Sequence, residues 1–312
     1  MGRYINAPET VIRTRAEGWA DSTSASHGLT QAGEKIFFSP VPKFLYWGDS
    51  YADGVQVKSE QRAVNVFNAK AVDLGLRGVA VADSGLSMAD FYFYIPRYEK
   101  LTTDVVGHVF LLAGMRSIIP GYHLDCHSQF LPDPWRFEAS ECPPSEVALE
   151  YASSINKWHV DFLHSIYKSL SEYSFRFSVG NLTAKEPIVE KVIPGLDSRQ
   201  LEGAWIFMLD ALEKKTKGNL TFVYAPLRPH LKDGVLVMGD NELEKKKIFQ
   251  RLCRENGVGF IDLTQKFADM YELDGKLGQG FFNTPQGAGH LNVDGQALVG
   301  EGLYEYFSRG AQ

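Results

Sequence analysis

The sequence predicts an α/β protein built on a parallel sheet. Short apolar runs of strand length recur along the chain, and stretches with apolar residues at helical spacing lie between them. That alternation is what a parallel sheet with helices on both faces requires. Composition agrees: 44% hydrophobic and 22% charged side chains over 312 residues is ordinary globular make-up. A chain of this size buries about three quarters of its unfolded surface, so its core needs no disulfide or metal staple.

After a polar start that reads as irregular, Lys43–Ser50 (KFLYWGDS) is an apolar strand running into a turn rich in Gly, Asp and Ser. A helix-like stretch from about Ser59 to Leu76 has Ala63, Val64, Val66, Phe67 and Ala71 at mixed helical spacings. Gly78–Asp83 (GVAVAD) reads as a second buried strand, Met88–Leu101 as a helix and Val105–Gly114 as a third strand. The pattern returns with strand Leu220–Pro226, a helix around Glu242–Glu255, strand Val258–Leu263 and a closing helix from about Val293 to Phe307.

Between the third and fourth strands roughly a hundred residues break this rhythm, with helical sequence at Ser145–Tyr173 and Ser198–Lys215. Insertions of this kind gather beside the strand ends, where binding loops lie. The expectation is one α/β domain over residues 1–312 with an inserted cap-like region at about 117–218. No repeat or low-complexity tract is present, and the charge run Glu244–Lys247 reads as the solvated face of its helix.

With 32 basic against 38 acidic residues, the net charge of −6 offers no positive field for a phosphate backbone. Nucleic acid is therefore not an expected partner, and a small neutral or cationic substrate is. The most apolar stretch, Val105–Met115, is interrupted by His108 and is too short to cross a bilayer. The opening MGRYINAPET shows no signal-peptide pattern, and Asn6 stands where myristoylation wants Ser or Thr. These features point to a soluble chain, cytoplasmic by default and periplasmic or secreted if its start has been replaced. The sequence leaves the oligomeric state open.

Cys126, Cys142 and Cys253 are too few and too odd in number for a disulfide framework, although Cys126 and Cys142 could pair. His123, Asp125, Cys126, His127 and Cys142 cluster in the insert, but their spacing fits no standard zinc pattern, so no metal is expected. His108 reads as a core histidine of its strand. His159 and His164 read as packing or surface residues of a helix, and Phe91, Tyr92, Phe93, Tyr94 and Tyr98 mainly as core. Asn181 and Asn219 each open an acceptor pattern for glycosylation, which has meaning only in a secreted chain.

Two segments carry chemistry. Trp47-Gly48-Asp49-Ser50 ends the first strand, which puts Ser50 in the crevice outside the carboxyl end of the sheet. An Asp-Ser turn that merely caps the next helix is the plain alternative. Gly289-His290-Leu291-Asn292 precedes the last helix, so His290 can swing against a serine from the first strand and activate its hydroxyl. The plain alternative here is a loop in which Asn292 caps the helix and His290 packs. No G-x-S-x-G is present, which excludes the nucleophile elbow of ordinary α/β-hydrolases. No Gly-rich phosphate loop is present either, which disfavours a flavodoxin-like nucleotide binder.

Together these segments resemble the SGNH, or GDSL-type, hydrolase superfamily, with the likeness spread over nearly the whole chain. The resemblance implies a flavodoxin-like three-layer α/β/α sandwich and cleavage or transfer of acyl groups without a cofactor. It implies Ser50 as nucleophile and His290 as general base. It also implies Gly85, in the turn Val81-Ala82-Asp83-Ser84-Gly85, as an oxyanion donor beside the Ser50 amide; an ordinary loop glycine with positive φ is the plain reading of Gly85.

Two departures stand out. Where the third block of the family reads Gly-x-Asn-Asp, this chain has Gly114-Met115-Arg116-Ser117, so Arg116 would have to replace the asparagine donor. Two and three residues before His290, where the family places its aspartate, stand Ala288 and Gly287. A backbone carbonyl, Asn283 or another group that folds in is then expected to hold the imidazole, with Asp49 and Asn292 as further supporting candidates. The expected function is a serine esterase or acyltransferase acting on an O-acyl ester, an O-acetyl group of a carbohydrate by family analogy. The rival is an impaired relative that binds a glycan or protein partner.

Overall fold

The computed structural model describes residues 11–15, 17–24, 34–83, 85–121, 128–139, 196–227, 230–232, 235–237, 242–284 and 287–310. Strands β1 (Val11–Thr14) and β2 (Ala20–Thr23) pair antiparallel as a separate hairpin, with Thr14 opposite Ala20. The expectation of an irregular start is corrected for these two segments, while residues 1–10 lie outside the described residues. Along β2 burial alternates, Ala20 and Ser22 inward and Asp21 and Thr23 outward, which is the half-buried strand pattern in a segment too polar to stand out.

After α1 (Glu34–Phe37) come β3 (Lys43–Trp47), α2 (Ser50–Asp53), α3 (Ala63–Lys70) and β4 (Arg77–Ala80). The single helix expected over 59–76 is instead 3-10 turns at Ser59–Gln61 and Val72–Leu74 flanking α3. It breaks at Arg62, whose backbone is extended (φ −76°, ψ 150°) and whose fully buried guanidinium bonds to Ser22 of the hairpin. Next are α4 (Met88–Leu101), β5 (Val105–Ala113), β6 (Gln129–Leu131) and β7 (Arg136–Glu138). A capping box starts α4: the Ser87 hydroxyl accepts from Asp90 N at 3.3 Å, and the Asp90 carboxylate accepts from Ser87 N at 3.0 Å.

Then follow α5 (Ser198–Thr216), β8 (Leu220–Ala225), the short pair β9 (His230–Lys232) and β10 (Val235–Val237), α6 (Leu243–Glu255), β11 (Gly259–Asp262), α7 (Thr264–Asp274) and α8 (Val293–Gly310). The central sheet has the order β11-β8-β5-β3-β4, and all four of its pairings are parallel. Each of its five strands is one that the apolar runs predict.

Side chains along β3 alternate between two cores, as the two-residue period of a strand demands. Leu45 and Trp47 join Phe110, Phe222, Trp205 and Phe249 under α4, α5 and α6. Phe44 and Tyr46 join Val109, Val223, Phe67 and Leu303 under α3, α7 and α8. The result is an α/β/α sandwich. The C-terminal end of the inserted region is a layer of it: α5 buries Leu201, Ala204, Trp205, Met208, Leu209 and Leu212. A helix with so wide an apolar stripe packs on the sheet.

His108 is 2% exposed within β5, accepting from Trp47 Nε1 at 3.1 Å on its Nδ1 and facing Glu99 at 3.2 Å on its Nε2. Cys253 is buried and unpaired. The expected helix at 145–173, the Cys126–Cys142 pair, the cluster around His123, and His159, His164 and Asn181 lie outside the described residues.

Candidate functional site

Ser50 opens α2 at the carboxyl end of β3, the second strand from the β4 edge. The turn is shaped by two neighbours. A Cβ on Gly48 would come within 2.5 Å of Ala52 Cβ, so only glycine lets the chain fold back onto α2. Asp49 caps α2, its carboxylate accepting from Tyr51 N at 2.9 Å. Burial pushes the Asp49 carboxyl up from its ordinary range, against the Tyr51 hydrogen bond and the nearby charges of His290 and Arg116.

His290 lies in the loop between α7 and α8. Gly280 N donates to His290 O at 3.2 Å, and Gln279 bridges Leu291, so the stretch before the histidine pairs with it like a short ladder. Asn292 ties the same loop: its amide donates to Leu277 O at 2.7 Å and Gly280 O at 3.1 Å, while its Oδ1 accepts from Gly295 N at 3.0 Å. Asn292 is therefore the helix cap of the plain reading, and the loop it fixes also presents His290. Gln296, fully buried one turn later, donates to Tyr51 O at 2.9 Å and accepts from Ala63 N at 3.0 Å. It locks α8 against α2 and hence the histidine loop against the serine turn.

These supports bring His290 Nε2 to 2.7 Å from Ser50 Oγ. The ring packs against Tyr51, with centroids 4.8 Å apart. Behind the imidazole stands Glu17, from the tip of the β1–β2 hairpin. Its Oε2 is 2.6 Å from His290 Nδ1 and its Oε1 accepts the His290 backbone N–H. With Nδ1–H donated to a carboxylate, Nε2 is left as the acceptor for the serine hydroxyl. Burial works to raise the Glu17 pKa, but the two bonds to His290 and its charge outweigh burial and hold the carboxylate below its usual value.

Glu17 was missed by the sequence reading, which looks for a carboxylate just upstream of the histidine. Two signals existed: an acidic residue followed by glycine in a short alternating segment, and the small Gly287-Ala288-Gly289 run that leaves room for a side chain from elsewhere. Gly289 in particular adopts φ +93°, and a Cβ there would collide with Glu17 Oε1. Asn283, expected to hold the imidazole, instead bonds to the backbone on both sides of Glu17. Asp49 serves the serine turn rather than the histidine.

The remaining site candidates lie near the serine turn. Asp83 N donates to Gly48 O at 3.2 Å, which ties the turn bearing Gly85 (φ +77°) to the serine turn. Among the described residues, neither the Ser50 nor the Gly85 backbone N–H is given a protein acceptor. Arg116 is exposed at the start of the turn Arg116–Ile118, near enough to Asp49 for its charge to favour that carboxylate. The preceding Met115 N donates to Glu242 Oε2 at 2.7 Å, and the Ser117 hydroxyl is buried without a partner among the described residues. No group of three metal-ligating side chains occurs among the described residues, and no helix among them is long and apolar enough to cross a membrane.

No protein-family model and no curated protein matches this chain. Among solved structures it is similar to an acetyl xylan esterase, at 13% identity and a TM-score of 0.43 over 85% of this chain and 98% of that one. A member of the lipolytic G-D-S-L family from Veillonella parvula is similar at 13% identity and a TM-score of 0.41, over 86% and 98%. A catalytic mutant of an acetylxylan esterase from Geobacillus stearothermophilus is similar at 11% identity and a TM-score of 0.44, over 86% and 95%. The parallel sheet between helical layers, with the serine turn after its first strand and the histidine loop before the last helix, makes this chain an α/β/α sandwich.

Proposed function

We propose that this chain is a serine esterase or acyltransferase acting on an O-acyl ester. One observation carries the reading: the continuous chain of contacts from Ser50 Oγ through the imidazole of His290 to the Glu17 carboxylate, at 2.7 Å and 2.6 Å. A hydroxyl is a poor nucleophile at neutral pH, and a neutral imidazole held in one tautomer by a carboxylate is the arrangement that activates it.

In this reading Ser50 Oγ attacks the ester carbonyl while its proton passes to His290 Nε2. Glu17, held ionised, stabilises the resulting imidazolium without taking its proton. The Ser50 and Gly85 amides and Arg116 hold the oxyanion. Collapse of the tetrahedral intermediate breaks the bond to the leaving alkoxide, which takes the proton back from His290 and leaves an acyl group on Ser50. Water or an alcohol acceptor then repeats the sequence in reverse. Asp49 and Asn292 support the two loops, and no cofactor enters any step.

An O-acetyl group on a carbohydrate is the proposed substrate. The family analogy of the sequence blocks supports it, and a net charge of −6 suits a neutral glycan better than a polyanion. The absent aspartate before His290 favours the rival reading of an impaired binding protein, and the Glu17 carboxylate 2.6 Å from His290 Nδ1 weighs against it.

The test is hydrolysis of p-nitrophenyl acetate by the native chain, Ser50→Ala and His290→Ala, with fluorophosphonate labelling followed by intact mass. Turnover and a single label, both dependent on Ser50, are expected. A native chain that neither labels nor turns over would favour the binding protein. Adding acetylated xylo-oligosaccharides and free sugar acceptors then separates hydrolysis from transfer.

A further inference from the structure

We infer that Asn283 is a positioning residue that holds Glu17 against His290, an inference resting on the reading of Ser50, His290 and Glu17 above. Among the described residues, the β1–β2 hairpin is a separate sheet that pairs with no strand of the central one. Nothing in the sheet register therefore fixes where its tip lies, and the separation of Glu17 from the imidazole depends on a few specific contacts.

Asn283 bonds the backbone beside Glu17. Its Oδ1 accepts from Gly18 N at 2.9 Å, and its Nδ2 donates to Arg15 O at 2.8 Å and Gly18 O at 3.2 Å. The amide thus grips the backbone on both sides of Glu17, using its acceptor and its donors at once.

The other half of the clamp runs to the base. Asn283 sits in a turn closed by Thr284, whose hydroxyl accepts from Phe281 N at 2.8 Å and whose N–H donates to Phe281 O at 3.1 Å. Immediately before that turn, Gly280 and Gln279 pair with His290 and Leu291. One short segment therefore binds the base on one side and the hairpin tip on the other. Gly18 completes the seat: at φ +72° it packs its bare Cα against Gln56 O and the Phe281 ring, where a Cβ would not fit. A further polar anchor of the hairpin, the bond from Arg62 to Ser22, lies on β2 and holds the hairpin's body rather than its tip.

Loss of the clamp should loosen the Glu17 contact while leaving Ser50, His290 and the substrate crevice in place. A misplacement of about 1 Å remote from the reacting atoms can lower a rate about a hundredfold. Asn283→Ala is expected to lower kcat for p-nitrophenyl acetate by roughly ten- to a hundredfold with KM changed less than about threefold.

The discriminating measurement is a double-mutant cycle with Glu17→Ala, each variant checked for native circular dichroism. If Asn283 acts through Glu17, then the double variant is no slower than Glu17→Ala alone. Losses that multiply, or native turnover in Asn283→Ala, overturn the inference while leaving the Ser50 reading standing. Native turnover in Ser50→Ala or His290→Ala overturns that reading instead.

A second measurement does not depend on turnover. The proton shared by His290 Nδ1 and Glu17 should give a low-field resonance in the 15N-histidine-labelled native chain. It is expected to vanish in both Glu17→Ala and Asn283→Ala. Its absence from the native chain, or its persistence in Asn283→Ala, overturns the inference.

Discussion

Glu17 and His290 stand 273 positions apart in the sequence and meet at 2.6 Å. The same carboxylate also takes the backbone N–H of His290, so it fixes both the tautomer of the ring and the course of the loop that carries it. Replacing Glu17 by Gln keeps the shape but can present an amide N–H to Nδ1, which favours the tautomer that cannot accept the serine proton. Loss of the partner's charge in a serine protease lowers turnover by roughly four powers of ten. Glu17→Gln and Glu17→Ala are each expected to reduce kcat on p-nitrophenyl acetate by a thousandfold or more with little change in KM, read by steady-state kinetics.

The sheet was legible because each of its strands is a run of apolar residues bounded by turn residues, and Ser50 and His290 because each lies at a strand or helix end within a compact local pattern. Glu17 was not legible for a physical reason. Its segment is a polar two-stranded hairpin whose partners, Asn283, Arg62 and His290, are brought to it only by the completed fold, and one sequence holds no record of such pairing. The break at Arg62 was hidden in the same way: residues 59–76 have helical spacing, but burying the guanidinium against the hairpin overrides propensity. The helix α7 escaped notice because a single buried side chain, Phe267, anchors its core face.

Gly289 provides a second route to the same contact. Alanine there faces two penalties, a left-handed backbone (φ +93°) and a Cβ driven into Glu17 Oε1. The backbone part costs about 1–2 kcal/mol for a non-glycine residue, so a fall in Tm of several degrees is expected. The steric part displaces the carboxylate. Gly289→Ala should therefore lose at least tenfold in kcat even at temperatures where circular dichroism shows it fully folded. Native kcat in the folded variant would mean that Glu17 is not needed where the structure places it.

Arg116 takes the chain position where the resemblance expects a neutral donor. Its side chain is exposed, yet its charge reaches Asp49 beside Ser50. Removing one oxyanion donor lowers kcat by about a hundred- to a thousandfold. Arg116→Ala is expected to fall in that range, and Arg116→Asn, which restores a side-chain N–H donor, to recover part of the loss. Single-turnover acylation by p-nitrophenyl acetate measures the step directly, because the oxyanion forms before the acyl-enzyme does. Unchanged acylation in Arg116→Ala would leave the Ser50 and Gly85 amides as the whole oxyanion site.

His108 supplies a pH dependence that belongs to the fold rather than to the chemistry. Burial holds its pKa below the ordinary 6.5, outweighing the Glu99 contact that works to raise it, and Lys217 adds to the lowering. The Trp47 N–H donated to Nδ1 suits the neutral ring, since protonation would set two donors against each other. The native state therefore binds a proton here less readily than the unfolded chain. Stability from this group is fully present above about pH 6.5 and is lost as pH falls toward the lowered native value, with a slope of at most about 1.4 kcal/mol per pH unit. Urea denaturation at stepped pH should show that decline in the native chain and a shallower one in His108→Gln, which keeps an acceptor for the Trp47 N–H and cannot titrate. Equal slopes in the two chains would place the proton uptake on another group.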